Sequence, residues 1–400
     1  MEKNSVEIFF EPKSVAIIGA SPKKENRGRI ILVSMQRNYK GKIYIVNPNY
    51  SEIQGIKSFK SILDIEDEID VAIIAVDASK VPDIMVDAGK KNVKGVIIVS
   101  GGFAETDTQQ GKELQDKIID IGKKFNMRII GPNCIGVYNS FTGVDTFFLP
   151  YERMRRPKRG PISIISQSGA LLATLMDWAA SKNIAIGKAI NFGNKADVDE
   201  IESLEYLGKD NETRVILMYI EGITPGKGYD FIETARSVTS IYGKPIILIK
   251  GGKTSKGAGA AKSHTASLAG SYEIFKSVSK QANIILADDL EELFDIARVM
   301  SYNLIPSGNR VGIITNSGGH GVIAADTLIE NGLLVPEISD TLKEKFKKIF
   351  PSRVSIHNPI DFTGDAKPNH YREVLELLAD NNEADMFLII ALVQPQTMDL

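Results

Sequence analysis

The chain has 400 residues, 43% of them hydrophobic and 24% charged, and its 48 basic and 50 acidic side chains leave a net charge of −2. That length accommodates two or three domains with cores of their own, and the near-balance of charge excludes the global positive field of a nucleic-acid binder. One cysteine, Cys134, rules out an internal disulfide framework or a clustered-thiolate metal site; the four histidines, His264, His320, His357 and His370, lack metal-ligand spacing, so no metal site is expected.

The N-terminal "MEKNSVEIFFEPKSVAIIG" has no long apolar stretch behind a basic start, and nowhere does an uncharged run approach the roughly 20 apolar residues of a spanning helix. A cytoplasmic protein without membrane segments is expected. From there, short β-branched runs ("SVAIIG", "KIYIVNP", "VAIIAV", "GVIIVS", "MRIIGP") alternate with helix-length amphipathic ones such as "RIILVSMQRN". This alternation predicts an α/β fold, with parallel β-α-β units forming a doubly wound domain over residues 1–145. In the first turn, "IIGASPKKENRGRI", Gly19 ends a strand and a helix begins near Gly28, so backbone N–H groups face an anion, aided by Lys23, Lys24, Arg27 and Arg29. The fingerprint G-x-G-x-x-G is absent, and the second strand ends in Asn47-Pro48 where an NAD site would carry a ribose-binding carboxylate. An oxidoreductase is therefore disfavoured, while a phosphate-bearing nucleotide and a plain turn with solvated lysines both stay open.

A basic connector with proline at both ends, "PYERMRRPKRGP", marks a boundary. Beyond it, "PISIISQSGALLATLMDWAASKNI" and "RVGIITNSGGHGVIAADTLIENGL" repeat one pattern of strand, Ser-Gly turn, helix and loop. The repeat predicts two related parallel-sheet domains, 155–295 and 305–400, the second beginning another strand at "ADMFLIIALV" and incomplete at its C-terminus. Each Ser-Gly turn aims helix-start amides at a phosphate. In "MYIEGI" the apolar run is broken by Glu221, and a histidine ring is a suitable partner for such a carboxylate. His264 stands in a segment of little side-chain bulk, "KGGKTSKGAGAAKSHTASLAGS", which leaves its ring open to a visiting group. A bond from one ring nitrogen to Glu221 would leave the other free as nucleophile. On this fragment alone, a solvated strand-end glutamate is the favoured reading.

Read together, "SVAIIGAS", "IYIVNPNY", "SGGFAE", "GPNCIGVYN", "SQSGAL", "GNKADVD", "YIEG", "GAAKSHTASLAG", "TNSGGHGV" and "NPIDFTGDA" resemble, in order and over essentially the whole chain, the α subunit of the nucleoside-diphosphate-forming acyl-CoA synthetases, relatives of succinyl-CoA synthetase. The resemblance implies a Rossmann-like CoA-binding domain followed by two flavodoxin-like domains. It implies CoA contacts from Gly19, Ala20, Ser21, Pro22, Asn47, Pro48, Ser100, Gly101 and Gly102, with Asn133 lining the same site. Phosphate would sit at Gln167, Ser168 and Gly169 and at Ser317, Gly318 and Gly319, and His264 would become phosphorylated with Glu221 orienting it. Cys134 reads as a packed neighbour; His320 could touch phosphate, whereas His357 and His370 read as surface or packing residues. Nothing resembles an ATP-grasp domain, and the G-x-x-x-x-G-K-[ST] loop is absent. By the resemblance, ADP or ATP (or GDP or GTP) with Mg would be held mainly by a separate ATP-grasp β subunit, in an α2β2 assembly acting on a small carboxylic acid or its acyl-CoA. The rival is a non-catalytic CoA-binding regulatory subunit on the same scaffold.

Overall fold

The computed structural model describes residues 5–254, 256–257, 272–302 and 306–394. It divides into two compact units, 1–303 and 304–400. The first two expected domains share buried contacts and fall together in the first unit.

The first unit holds two seven-stranded sheets. In the first, β1 (Ser14–Ile18), β2 (Lys42–Val46), β3 (Glu52–Ile53), β4 (Ile56–Phe59), β5 (Val71–Ile74), β6 (Gly95–Ile98) and β7 (Arg128–Ile130) lie in the order β3-β4-β2-β1-β5-β6-β7. Every pair is parallel except the β3–β4 hairpin. The unbroken apolar runs of β1, β5 and β6 follow from burial on both faces, since the crossover helices α2 (Arg27–Asn38), α3 (Val81–Lys90) and α4 (Gln109–Lys124) cover the sheet. A four-residue helix, α1 (Glu7–Phe10), precedes β1 and buries Phe9 and Phe10.

The second sheet runs β14-β13-β12-β10-β11-β8-β9. Its strands are β8 (Gly136–Asn139), β9 (Val144–Asp145), β10 (Ile162–Ser166), β11 (Ile186–Asn191), β12 (Val215–Ile220), β13 (Ile246–Lys250) and β14 (Ile284–Leu286). Five strands are parallel, with α5 (Gly169–Ser181), α6 (Glu200–Lys209), α7 (Gly228–Arg236), α8 (Tyr272–Gln281) and α9 (Leu290–Ser301) in the connections; β8 and β9 form an antiparallel edge. Residues 136–145, expected to close the first domain, therefore belong to the second sheet. The fully buried "GVYN" of β8 gains both a ladder partner in β11 and cover by making that switch.

Buried charge joins the sheets. Arg128, on β7 and 3% exposed, sends Nε to Asp197 Oδ2 at 2.6 Å and Nη2 to Glu202 Oε2 at 2.5 Å. Asn139 Nδ2 donates to Phe10 O at 3.0 Å, and the Phe10 ring stacks on Tyr206 with centroids 4.8 Å apart. One buried apolar cluster contains both Ile17 of β1 and Ile165 of β10, so the core is continuous through the unit.

The second unit is a parallel sheet, β16-β15-β17, of β15 (Val311–Thr315), β16 (Ile360–Asp361) and β17 (Met386–Ile390). Helices α11 (Asp340–Ile349) and α12 (Pro368–Asp380) supply Phe346, Val374 and Leu378 to its core. The helix after β15, α10 (Gly318–Glu330), buries only Gly321; Val322 and Ile323 are 60% and 67% exposed.

Between β9 and β10, Arg156 and Asp145 form a two-point pair, Nε to Oδ2 at 2.8 Å and Nη2 to Oδ1 at 3.3 Å, with both side chains under 5% exposed. Removing one partner strands the other in a low-dielectric site. Asp145→Ala should lower the unfolding free energy by about 3–5 kcal/mol in chemical denaturation; a loss under about 1 kcal/mol, typical of an exposed pair, would show that water reaches Arg156.

Candidate functional site

Two cavities open at the carboxyl ends of parallel strands, each where strand order reverses about the sheet's first parallel strand, the usual position for a ligand crevice. The larger, about 630 Å³, lies at the ends of β1, β2 and β5 and is bordered by Gly19, Asn47, Pro48, Val76, Asp77 and Lys80. The smaller, about 370 Å³, brings Asn133, Gln167 and Gly169 together with Asn191, Lys195 and Ile223. It lies at the ends of β10 and β11 and the exits of β7 and β12.

The turn beside the larger cavity is closed by one side chain. Asn26 Oδ1 accepts from Ser21 N at 3.0 Å and, as the cap of α2, from Arg29 N at 2.8 Å, while its Nδ2 donates to Gly19 O at 3.1 Å. Gly19 has φ +98°, a region that disfavours any side chain. A Cβ on Gly28 would stand 2.7 Å from Ala20 N, so the start of α2 packs directly on the turn. Asn47, 9% exposed, donates to Ala20 O at 2.6 Å and accepts from Asn49 N at 3.0 Å, tying the loop after β2 to the same turn. Pro22, Lys23 and Lys24 stand exposed at its tip.

In the smaller cavity, Gln167 Oε1 accepts from Glu221 N at 2.8 Å and from Gly222 N at 3.3 Å. Ser168 turns inward to cap α5, its Oγ accepting from Leu171 N at 3.3 Å. Asn191, 1% exposed, accepts from Ile135 N at 2.9 Å and donates to Ser166 O at 2.9 Å and Gln167 O at 3.0 Å. Asn133 sits in the left-handed region at φ +56°, anchored by its N–H to Ser100 O at 2.9 Å. The "SGGFAE" loop is fastened from within: Glu105 Oε1 accepts from Gly102 N at 2.6 Å, and its Oε2 accepts from Asn194 Nδ2. Ser100 Oγ donates to Val76 O.

Glu221 is 7% exposed, just past β12. Its Oε1 accepts from Tyr219 Oη at 3.4 Å, whereas Oε2 is buried and has no hydrogen-bond partner among the described residues. Burial, reinforced by the Glu221 charge, pushes the Tyr219 hydroxyl up to about 12. Lys250, at the end of β13, donates to Glu221 O at 2.6 Å, and burial pulls its ammonium below the usual lysine range, partly opposed by Glu221. His264 lies outside the described residues.

Ser317, Gly318 and Gly319 belong to the second unit, at the start of α10. Ser317 caps without a side-chain bond to the backbone; its Oγ lies 2.8 Å from His320 Nδ1. His357 is exposed and 3.2 Å from Glu337 Oε2, and the His370 ring packs within 5.6 Å of Phe350 and Phe362. Among the described residues, no group of three or more His, Cys, Asp or Glu could hold a metal ion, and no helix is long and apolar enough to cross a membrane.

Sequence reasoning singled out neither Asn191 nor Lys195. Lys195 has φ +57°, rare for a long side chain, and its Nζ lies 2.7 Å from Glu200 Oε2 and 2.9 Å from Gly222 O. Glu200, fully buried, also accepts from Thr224 N at 2.7 Å, so this pair holds the loop after Glu221 against the cavity. The nearest sequence signal was "GNKADVD", one of the blocks in the family resemblance.

Three family models cover most of the chain: a CoA binding domain at residues 13–140, a succinyl-CoA ligase like flavodoxin domain at 159–300, and a Ligase-CoA domain at 311–391. The chain is 43% identical over 357 residues to an acetate–CoA ligase [ADP-forming] of Methanocaldococcus jannaschii, a match covering 89% of this chain but only 49% of that protein, so the chain spans about half its length. It is 41% identical over 372 residues to the acetate–CoA ligase [ADP-forming] I subunit alpha of Pyrococcus furiosus, covering 92% of this chain and 78% of that one. Among solved structures, the dinucleotide forming acetyl-coenzyme A synthetase 1 of Ca. Korarchaeum cryptofilum, in complex with phosphate and ADP, aligns with a TM-score of 0.91 at 36% identity, covering 98% of this chain and 83% of that one.

Cys134 lines the smaller cavity but is 2% exposed, and its thiol donates to Ile98 O at 3.3 Å. Burial pushes it up to about 12, so thiolate is scarce at neutral pH. The folded protein should resist iodoacetamide at pH 7–8 and react once denatured; rapid alkylation of the native chain would show a reactive thiolate, with mass spectrometry as the readout.

Proposed function

Because the chain belongs to the family of ADP-forming acetate–CoA ligases, built from succinyl-CoA ligase-like domains, we propose that it is the CoA-binding and phosphohistidine-bearing part of a cytoplasmic enzyme that interconverts acyl-CoA, phosphate and a nucleoside diphosphate with a carboxylic acid, CoA and the nucleoside triphosphate. One observation carries this reading: Glu221 Oε2, buried and without a hydrogen-bond partner among the described residues. A carboxylate oxygen in that state is costly unless a donor arrives, and an imidazole N–H is such a donor. The segment bearing His264 leaves β13 at Lys250, whose Nζ is bonded to Glu221 O, so it departs from beside the waiting carboxylate.

Phosphate is held at the Gln167–Gly169 turn, where the amides opening α5 supply donors and partial positive charge. A phosphate oxygen attacks the thioester carbonyl, the C–S bond breaks, and the thiolate leaves as CoA, giving an acyl phosphate. Nε2 of His264 then attacks phosphorus, the carboxylate departs, and Glu221 stabilises the charge on the ring through its other nitrogen. Phosphohistidine finally passes its phosphoryl group to ADP, which an ATP-grasp partner subunit holds together with Mg in an α2β2 assembly. The Ser317–Gly319 turn serves as a second phosphate seat. CoA lies along the carboxyl edge of the first sheet, its phosphates at the turn Gly19–Pro22 and its adenosine in the larger cavity beside Asn47 and Pro48, while the Ser100–Gly102 loop and Asn133 border its thiol end.

In the complete enzyme incubated with labelled ATP, this chain should acquire phosphate that is stable to alkali and lost in acid, the behaviour of a phosphoramidate. His264→Ala should abolish label and turnover and leave CoA binding unchanged; label persisting in the folded variant would remove the proposal. Glu221→Gln should lower kcat about 10²-fold, the scale of losing one preorganised stabiliser of developing charge.

CoA affinity should fall as salt rises, since charge-assisted phosphate contacts are screened. Replacing Lys23 and Lys24 by Gln should flatten that dependence in calorimetric titrations. Indifference of affinity to both changes would put the phosphates elsewhere.

A further inference from the structure

The smaller cavity is lined by polar side chains, Asn133, Gln167, Asn191 and Lys195, and by the apolar Val99, Phe148 and Ile223, and two cations reach it, Lys195 and Arg27. Lys195 is committed to Glu200 and Gly222 O. Arg27 is not committed in this way. Exposed at the first position of α2, it donates from Nη1 to Val99 O at 3.4 Å and lies over the Phe148 ring at 4.8 Å, and these are its guanidinium contacts among the described residues. The guanidinium lies over the ring, and most of its five N–H donors remain available.

The next step rests on the acyl transfer proposed above. If phosphate at the Gln167–Gly169 turn attacks the thioester, the acyl carbon lies within about 3–3.5 Å of it, and the acyl tail extends into the rest of the same cavity. We propose that Arg27, propped on Phe148, is a specificity-determining residue that favours acyl groups carrying an oxygen acceptor at their far end, hydroxyacyl or carboxyacyl, over plain alkyl chains of equal length. An alkyl tail would strip water from the guanidinium and return no hydrogen bond, whereas a terminal hydroxyl accepts one and a carboxylate accepts two from the planar fork.

The test compares kcat/KM for butyryl-, 4-hydroxybutyryl- and succinyl-CoA in the complete enzyme, for the natural chain, Arg27→Met and Arg27→Lys. The natural enzyme should prefer at least one oxygenated thioester by about tenfold, the scale of one charge-assisted hydrogen bond. Arg27→Met should bring that ratio close to one by slowing the oxygenated substrates more than butyryl-CoA, and Arg27→Lys should keep part of the preference. Because the ratio is taken within each preparation, it does not depend on the fraction correctly folded. A ratio near one in the natural enzyme, or one that Arg27→Met leaves unaltered, overturns the proposal. Equal losses on all three thioesters with weakened CoA binding also overturn it, and assign the guanidinium to the CoA phosphates. Absence of turnover with any thioester would instead remove the acyl-transfer reading, and this inference with it.

Discussion

A parallel strand that stops at its carboxyl edge leaves peptide groups with no further ladder, and burying them unpaired is costly. In the first unit this requirement is met by side-chain amides. Asn26, Asn47, Gln167 and Asn191 each carry a peptide-like acceptor or donor into a loop; Asn26 closes its own turn, and the other three satisfy backbone groups on segments distant in sequence. Asn191 alone ties the exit of β7, at Ile135, to the end of β10, at Ser166 and Gln167. Because the loops are held by these amides, the amides opening α5 remain available for an anion.

The strand runs and the paired strand–turn–helix units could be read from the chain because they rest on local patterning. The two copies begin their helices alike, α5 at Gly169 and α10 at Gly318, each after a serine. The two serines nevertheless differ in use, one capping Leu171 N and the other bonded to His320, a distinction set by the residue three positions into the helix. Long-range pairing was not legible. Lys188 interrupts an otherwise apolar strand, yet it is fully buried because Asp210 and Glu212 reach it at 2.7 and 2.6 Å from beyond the next helix. The transfer of β8 and β9 to the second sheet has the same origin, since a short buried run carries no mark of which sheet it will join.

Within the candidate site, legibility followed chemistry. Glu221 stood out as a carboxylate at the end of an apolar run, and Gln167, Gly169 and Asn133 lie in small-residue turns; three separate segments then meet at one cavity. Lys195 and Phe148 gave no such sign. A lysine in a polar loop reads as solvated until its backbone is seen at φ +57° and its ammonium against Glu200. A phenylalanine in "TFFLP" reads as core until its neighbour Phe147 proves to be the fully buried one and Phe148 borders the cavity.

Arg128 also bears on how such proteins can be rearranged by gene fusion and fission. Its carboxylate partners Asp197 and Glu202 come from the second sheet's side, so a piece cut at the proline-rich connector would keep the guanidinium, lose both of them and turn it out to water at the sheet edge. The cofactor module of this chain is therefore not a freely portable cassette: cut at the connector it would also carry off β8 and β9 and leave behind β11, their ladder partner, whereas the junction near residue 304 can be cut without separating any of these.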